Sequence, residues 1–130
     1  TLGSDFLPPA NHSGGLRYHG MSYHLSHLYN LGLMRAKAYG QKECFEAGVT
    51  FGNQEGIIPA PEATHAVKGA MDAALDCKEK GESKTILFNL CGHGHFDMAA
   101  YDDYFSGRLA DDIFEEESVN KAMSNLPEVA

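Results

Sequence analysis

Four side chains able to do chemistry crowd into the stretch Cys91-Gly-His93-Gly-His95-Phe-Asp97. A thiol, two imidazoles and a carboxylate this close together admit three kinds of chemistry. They are ligand types for a transition metal, although the i, i+2 spacing matches neither a helical HExxH arrangement nor a paired-cysteine zinc site. Cys91 with a histidine base would make a nucleophile pair, provided that folding brings the two within hydrogen-bond reach. The third chemistry is recognition. Gly92 and Gly94 let a flat ligand approach the backbone, and Cys91 offers it one orienting hydrogen bond. A further carboxylate, Glu62, follows Glu55-Gly-Ile-Ile-Pro-Ala-Pro61. It falls in the first turn of a predicted helix, where the macrodipole favours negative charge; simple capping of that helix is the alternative reading. His65 lies one turn further on. His12, His19, His24 and His27 enrich the first part of the chain. His24 and His27 share a helix face, so a histidine-based metal protein is a third general reading, beside the default of exposed or packing histidines.

The elements that must position these groups follow from periodicity. Residues 85–90, Thr-Ile-Leu-Phe-Asn-Leu, are apolar and rich in strand formers and predict a buried strand. The glycines of residues 91–95 predict a tight turn, and Asp97 an N-cap for a helix over 98–106. Strand, glycine turn and helix start form a common ligand-holding place in α/β proteins. Upstream, Pro8 and Pro9 keep the first segment extended. A helix is predicted over 21–30, closed by Gly32, and a short strand over 35–39. A second helix is predicted over 42–54, with Cys44, Gly48 and Phe51 on one stripe, and Gly56 ends it. Residues 57–58 read as a very short strand stopped by Pro59 and Pro61. The third helix, 62–80, has the clearest pattern: Val67, Ala70, Met71, Ala74 and Leu75 form an i, i+3, i+4, i+7, i+8 stripe, and Gly81 closes it. Tyr101, Tyr104 and Phe105 give the following helix an aromatic face for packing. A last helix is predicted over 111–124, with Val119, Ala122, Met123 and Leu126 as its packing side and residues 115–117 a solvated acidic face.

Strands separated by helices imply an α/β fold: a partial three-layer arrangement, with a parallel sheet of about three strands covered by helices. Such a sheet is small for an independent domain, so these 130 residues read as a single segment of a larger α/β unit or of an assembly. A net charge of −8 without a basic stripe argues against nucleic acid as a partner. The apolar runs are too short for a membrane helix. Cys44, Cys77 and Cys91 are odd in number and contain no CxxC pair, so a cytoplasmic setting is expected and no disulfide framework. Cys44 and Cys77 read as core residues. The opening Thr-Leu-Gly-Ser-Asp does not look like a leader, and the missing Met suggests that chain was removed upstream.

Taken in order, Glu55-Gly-Ile-Ile-Pro-Ala-Pro-Glu-Ala-Thr-His-Ala66 and Asn89-Leu-Cys-Gly-His-Gly-His-Phe-Asp97 resemble the C-terminal part of the tryptophan synthase β-chain family, most closely its divergent β-like branch. Asp5-Phe-Leu-Pro-Pro9 and Leu16-Arg-Tyr-His-Gly-Met21 fit the same pattern, so the resemblance covers nearly the whole chain. It implies a fold-type II enzyme of two α/β lobes holding pyridoxal 5'-phosphate between them. The implied activity joins L-serine to indole by elimination followed by addition. A related enzyme using another nucleophile, or a non-catalytic binding module on the same scaffold, are the alternatives.

By the same resemblance, Cys91 stands where the family has a serine that hydrogen-bonds the pyridine nitrogen, with Gly92 and His93 beside it in the cofactor-binding turn. Glu62 corresponds to the carboxylate near the cofactor ring and Asp5 to an aspartate that holds the serine-derived group. The backbone of Phe6 and Pro8 falls near a monovalent-cation site. A neutral partner at the ring nitrogen does not force its protonation, which favours elimination and replacement over transamination. A thiol there is larger than a hydroxyl, more acidic and a weaker hydrogen-bond former. The Schiff-base lysine and the glycine-rich phosphate loop lie upstream in the family. None of Lys37, Lys42, Lys68, Lys78, Lys80, Lys84 or Lys121 stands in the lysine motif. These residues alone are therefore expected to be inactive. An unpaired sheet edge would favour self-association, so a homo-oligomer is expected, with an α-subunit as a further candidate partner whose need the sequence leaves open.

Overall fold

A computed structural model describes residues 2–111 and 116–127. Among them are five α-helices: α1 (Tyr23–Asn30), α2 (Gln41–Glu55), α3 (Pro61–Lys80), α4 (Met98–Phe105) and α5 (Glu116–Met123). The described residues fall into two compact units, one of residues 2–10, 15–38 and 116–127, the other of residues 11–14 and 39–111.

The larger unit is built on α2 packed against α3. Both ends of α2 are set by local chemistry. The Gly40 N–H donates to the Glu43 carboxylate at 2.8 Å, and the Lys42 N–H to Asp111 Oδ1 at 2.9 Å, so two otherwise orphaned donors are satisfied. Gly56 ends the helix at φ 70°, a left-handed turn that glycine adopts without strain. Pro61 opens α3 at a position where its missing N–H costs nothing, and Gly81 closes it at φ 64°. The helices approach closely because Gly48 lacks a side chain: a Cβ there would lie 2.5 Å from Thr64 Cγ2. Beside this seam sits the core, formed by Phe45, Ala100, Tyr101 and Leu109, with Val49, Ile58 and Tyr104 against it. The Phe45 ring meets Tyr101 edge-on at 5.0 Å and stacks on Tyr104 at 5.9 Å.

In the smaller unit, Phe6 and Ala122 are buried, and Gly3 at φ 74° turns against Leu126. The Leu2 N–H donates to His19 O at 2.5 Å. Helix α1 begins at Tyr23 rather than at Met21 and buries none of its residues, so Leu25 and Leu28 remain exposed. Helix α5 uses Ala122, Val119 and Leu126 as its packing side, while Met123 is exposed. Asp111 is not helical, and the rest of the predicted start of this helix, residues 112–115, lies outside the described residues.

The predicted sheet is corrected. Among the described residues there is no strand, and the only ladder contact is an isolated antiparallel bridge between Pro59 and His93. Residues 35–39 and 57–58 are irregular. Residues 82–90 are not helical and have no ladder partner, with Leu87 93% exposed where burial was expected. A strand exists only where a neighbour takes its N–H and C=O groups, and among the described residues the neighbours of this segment are side chains of α2 and α3, which cannot do so. Phe88 and Leu90 are half-buried, Phe88 edge-on to Phe51 at 5.9 Å. The α3 stripe follows the same limit: Val67 is buried, whereas Leu75, at its far end, is 55% exposed.

Candidate active site

The turn that carries Cys91 is held against the start of α3 by backbone bonds. The Ala60 N–H donates to Gly92 O at 2.9 Å, and the Gly94 N–H to Ile58 O at 2.7 Å, which brackets the Pro59–His93 bridge. Gly94 is buried, and a Cβ there would lie 2.6 Å from Pro59 O, 2.9 Å from Ile58 Cγ2 and 3.0 Å from Tyr101 Cε2. Its φ is not positive, so close approach explains the glycine. At Gly92 a Cβ would meet Ala60 Cβ at 3.1 Å. The Tyr101 hydroxyl donates to Pro59 O at 2.6 Å, fastening α4 to the same crossing. Burial pushes the Tyr101 phenol up to about 12, with the Asp97 charge adding to it.

Asp97 occupies the N-cap position of α4, as the sequence suggested, but its side chain makes no capping bond. Its carbonyl accepts from Ala100 and Tyr101, and its own N–H donates to Gly94 O at 2.9 Å.

Glu62 lies half-buried in the first turn of α3, two residues past the Ala60–Gly92 hydrogen bond. His65 folds back to Pro61 O at 3.1 Å. Cys91 is a free, exposed thiol. His93 is exposed; its Nδ1 accepts from the His95 N–H at 3.3 Å, and the two rings lie 4.9 Å apart. Among the described residues, no three of His, Cys, Asp and Glu are grouped so as to hold a metal ion. Thus Glu62, Cys91, Gly92 and His93 all belong to the larger unit, on two segments that run side by side.

Asp5, Phe6 and Pro8 belong to the smaller unit. Asp5 is exposed and accepts from Asn125 Nδ2 at 3.2 Å. The Phe6 carbonyl accepts from His19 Nε2 at 2.7 Å, and the Pro8 carbonyl from the Arg17 guanidinium at 3.0 Å. Tyr101 and Pro59 are the residues that sequence reasoning did not connect with the turn. The signal available was the cramped Gly94, which implies a bulky neighbour without naming it.

The residues present fit the ring end of a flat cofactor. Cys91 presents an exposed thiol and a carboxylate stands on the adjoining helix start, while the room at Gly92 is taken by Ala60, which lets the turn lie against that helix start. Lys68 offers no free amine: its hydrogen bond to Asp72 at 2.5 Å raises its pKa further, and Glu43 lies at 3.6 Å.

No family model matches the chain. Individual relatives do. It is 62% identical over 109 residues to the tryptophan synthase beta chain 2 of Methanosarcina mazei, covering 84% of this chain and 25% of that protein. It is 60% identical over 111 residues to the tryptophan synthase beta chain 2 of Aquifex aeolicus, covering 85% and 26%. The tryptophan synthase beta chain of Pyrococcus horikoshii matches over 127 residues at 49% identity, or 98% of this chain and 27% of that protein. The chain belongs to the tryptophan synthase beta-chain family. It spans about a quarter of the length of the curated relatives it matches. For this family segment, the Cys91 turn beside the start of α3 is the best-defined candidate site.

Proposed function

We propose that this chain is the C-terminal portion of a pyridoxal-phosphate-dependent tryptophan synthase β-like lyase, which joins L-serine and indole to L-tryptophan by β-replacement. The observation that carries this reading is the hydrogen-bonded alignment of Gly92 with Ala60. It sets Cys91 beside the helix start that bears Glu62, in a chain so similar to beta chains. When bound, pyridoxal phosphate supplies the electron sink for the reaction. Cys91 holds the ring nitrogen through a neutral hydrogen bond, Gly92 and His93 border the ring, and Glu62 presents its carboxylate to the same region. Asp5 orients the serine-derived group. The amine and the phosphate cradle come from the remainder of the parent, so this segment alone does not turn over serine. The parent works in the cytoplasm as a homo-oligomer with an α-subunit. The cation reading at Phe6 and Pro8 rests on the resemblance alone. Each carbonyl already accepts a hydrogen bond, and a cation at Pro8 would have to compete with the Arg17 guanidinium.

Two measurements test the reading. Pyridoxal phosphate added to this chain should give no saturable Schiff-base absorbance band; a band abolished by replacing one lysine refutes the division of duties. In the parent, Cys91→Ser should preserve or raise β-replacement. Lost activity with the cofactor still bound would return Cys91 to a thiol-specific role.

A further inference from the structure

The Cys91 turn and the start of α3 are joined by two backbone hydrogen bonds, which together make one isolated bridge, too short a pairing to define its own register. A third group reaches the crossing from outside. Tyr101 is 4% exposed, and its hydroxyl donates at 2.6 Å to the carbonyl of Pro59, the residue paired with His93. The edge of its ring also lies 3.0 Å from the place a Gly94 Cβ would occupy. One side chain therefore reaches both segments of the crossing: its hydroxyl bonds one, and its ring fills the space beside Gly94 on the other. Its position is in turn dictated by the core: Phe45 meets it edge-on, and its N–H donates to Asp97 O at 3.3 Å, three residues beyond Gly94. Gly48 leaves room for the hydroxyl, since a Cβ there would lie 3.1 Å from it.

We infer that Tyr101 is a positioning residue that acts through Pro59 and Gly94 to set how the Cys91 turn lies against the start of α3, and hence how the Cys91 thiol stands relative to Glu62. The inference rests on the reading that these two residues face the cofactor ring. It adds a residue whose hydroxyl lies buried behind the turn. Deleting the hydroxyl leaves the buried Pro59 carbonyl without that donor, so the crossing should loosen while the aromatic core stays filled.

The test uses the full-length parent with Tyr101→Phe, read by amide hydrogen exchange and by the absorbance of the bound cofactor. Exchange at Ala60 and Gly94 should rise about tenfold, the scale of one lost hydrogen bond, while Val67 in the middle of α3 is unchanged. The bound-cofactor band should shift, and kcat should fall with little change in the KM for serine. Phe45→Leu is the control for general loosening, because it trims the ring packed on Tyr101 and leaves the hydroxyl in place. It should lower stability without a selective rise at Ala60 and Gly94. Unchanged exchange at those two amides in Tyr101→Phe overturns the inference. So does the same selective pattern in Phe45→Leu, or a loosened crossing with an unshifted cofactor band. Failure of the underlying reading has a separate signature: Cys91→Ala would leave the cofactor band unmoved, whatever Tyr101→Phe does to the exchange.

Discussion

Cys44 is completely buried on α2, and burial, reinforced by the neighbouring Glu43 charge, pushes its thiol up to about 12 from an ordinary 9.0. Tyr101 is raised from 10.0 to about 12 for the same leading reason. Both are acids that the folded state keeps protonated more strongly than the unfolded chain does. Their contribution is therefore fully present below the unfolded values and is lost as pH rises through the folded ones. The denaturation midpoint should hold up to about pH 9 and then fall progressively toward pH 12. In Cys44→Ala the fall should begin about one pH unit later, where Tyr101 takes over; urea titrations across this range would show it. Thiol labelling at neutral pH should reach the exposed Cys91 first and leave Cys44 protected. At this scale the sequence was informative about type and poor about partnership. Cys44 as core and Asp97 at the head of α4 were legible; Gly94 was not, because the close approach it permits is to Pro59, Ile58 and Tyr101 rather than to a ligand. The Tyr101–Pro59 bond was not, because its partners are 42 residues apart and neither has a local pattern that points to the other.

The C-terminal ends of α2 and α3 were legible because they rest on local chemistry, Gly56 and Gly81 with positive φ, whereas α3 begins one residue before its expected start, at Pro61, and α1 two residues after, at Tyr23. Strands were not legible, because pairing is a property of two segments. The α2–α3 seam allows a sharp test of packing at this scale. Gly48→Ala places a methyl group 2.5 Å from Thr64 Cγ2 and should destabilise by about 1–3 kcal/mol, despite the better helix propensity of alanine. Thr64→Ser removes that methyl partner and keeps the hydroxyl, which donates to Pro61 O at 2.6 Å. The two changes together should therefore cost less than the sum of the single ones, by roughly 0.5–2 kcal/mol in a double-mutant cycle read by chemical denaturation. Additive costs would mean that the helices part rather than press on this contact.

Residues 85–90 carry the sequence of a buried strand, yet Leu87 is almost fully exposed and the segment has no ladder partner among the described residues. The chain also spans only about a quarter of its relatives' length. The two facts belong together if the strands that pair with this segment are supplied by the rest of a parent chain. Alternation then makes a specific demand. Phe88 already leans on Phe51 beside α2 and α3, so Leu87 must point toward the opposite side, where a covering layer of the parent would lie. Leu87→Asp should be nearly neutral in this chain, since the side chain moves from water to water. In the full-length parent the same change should cost more than about 3 kcal/mol, the penalty for a buried unpaired carboxylate. Thermal unfolding of the two pairs of proteins separates the cases. Equal and small effects in both would mean that residues 85–90 stay uncovered in the parent, and that their strand-like composition serves something other than a sheet.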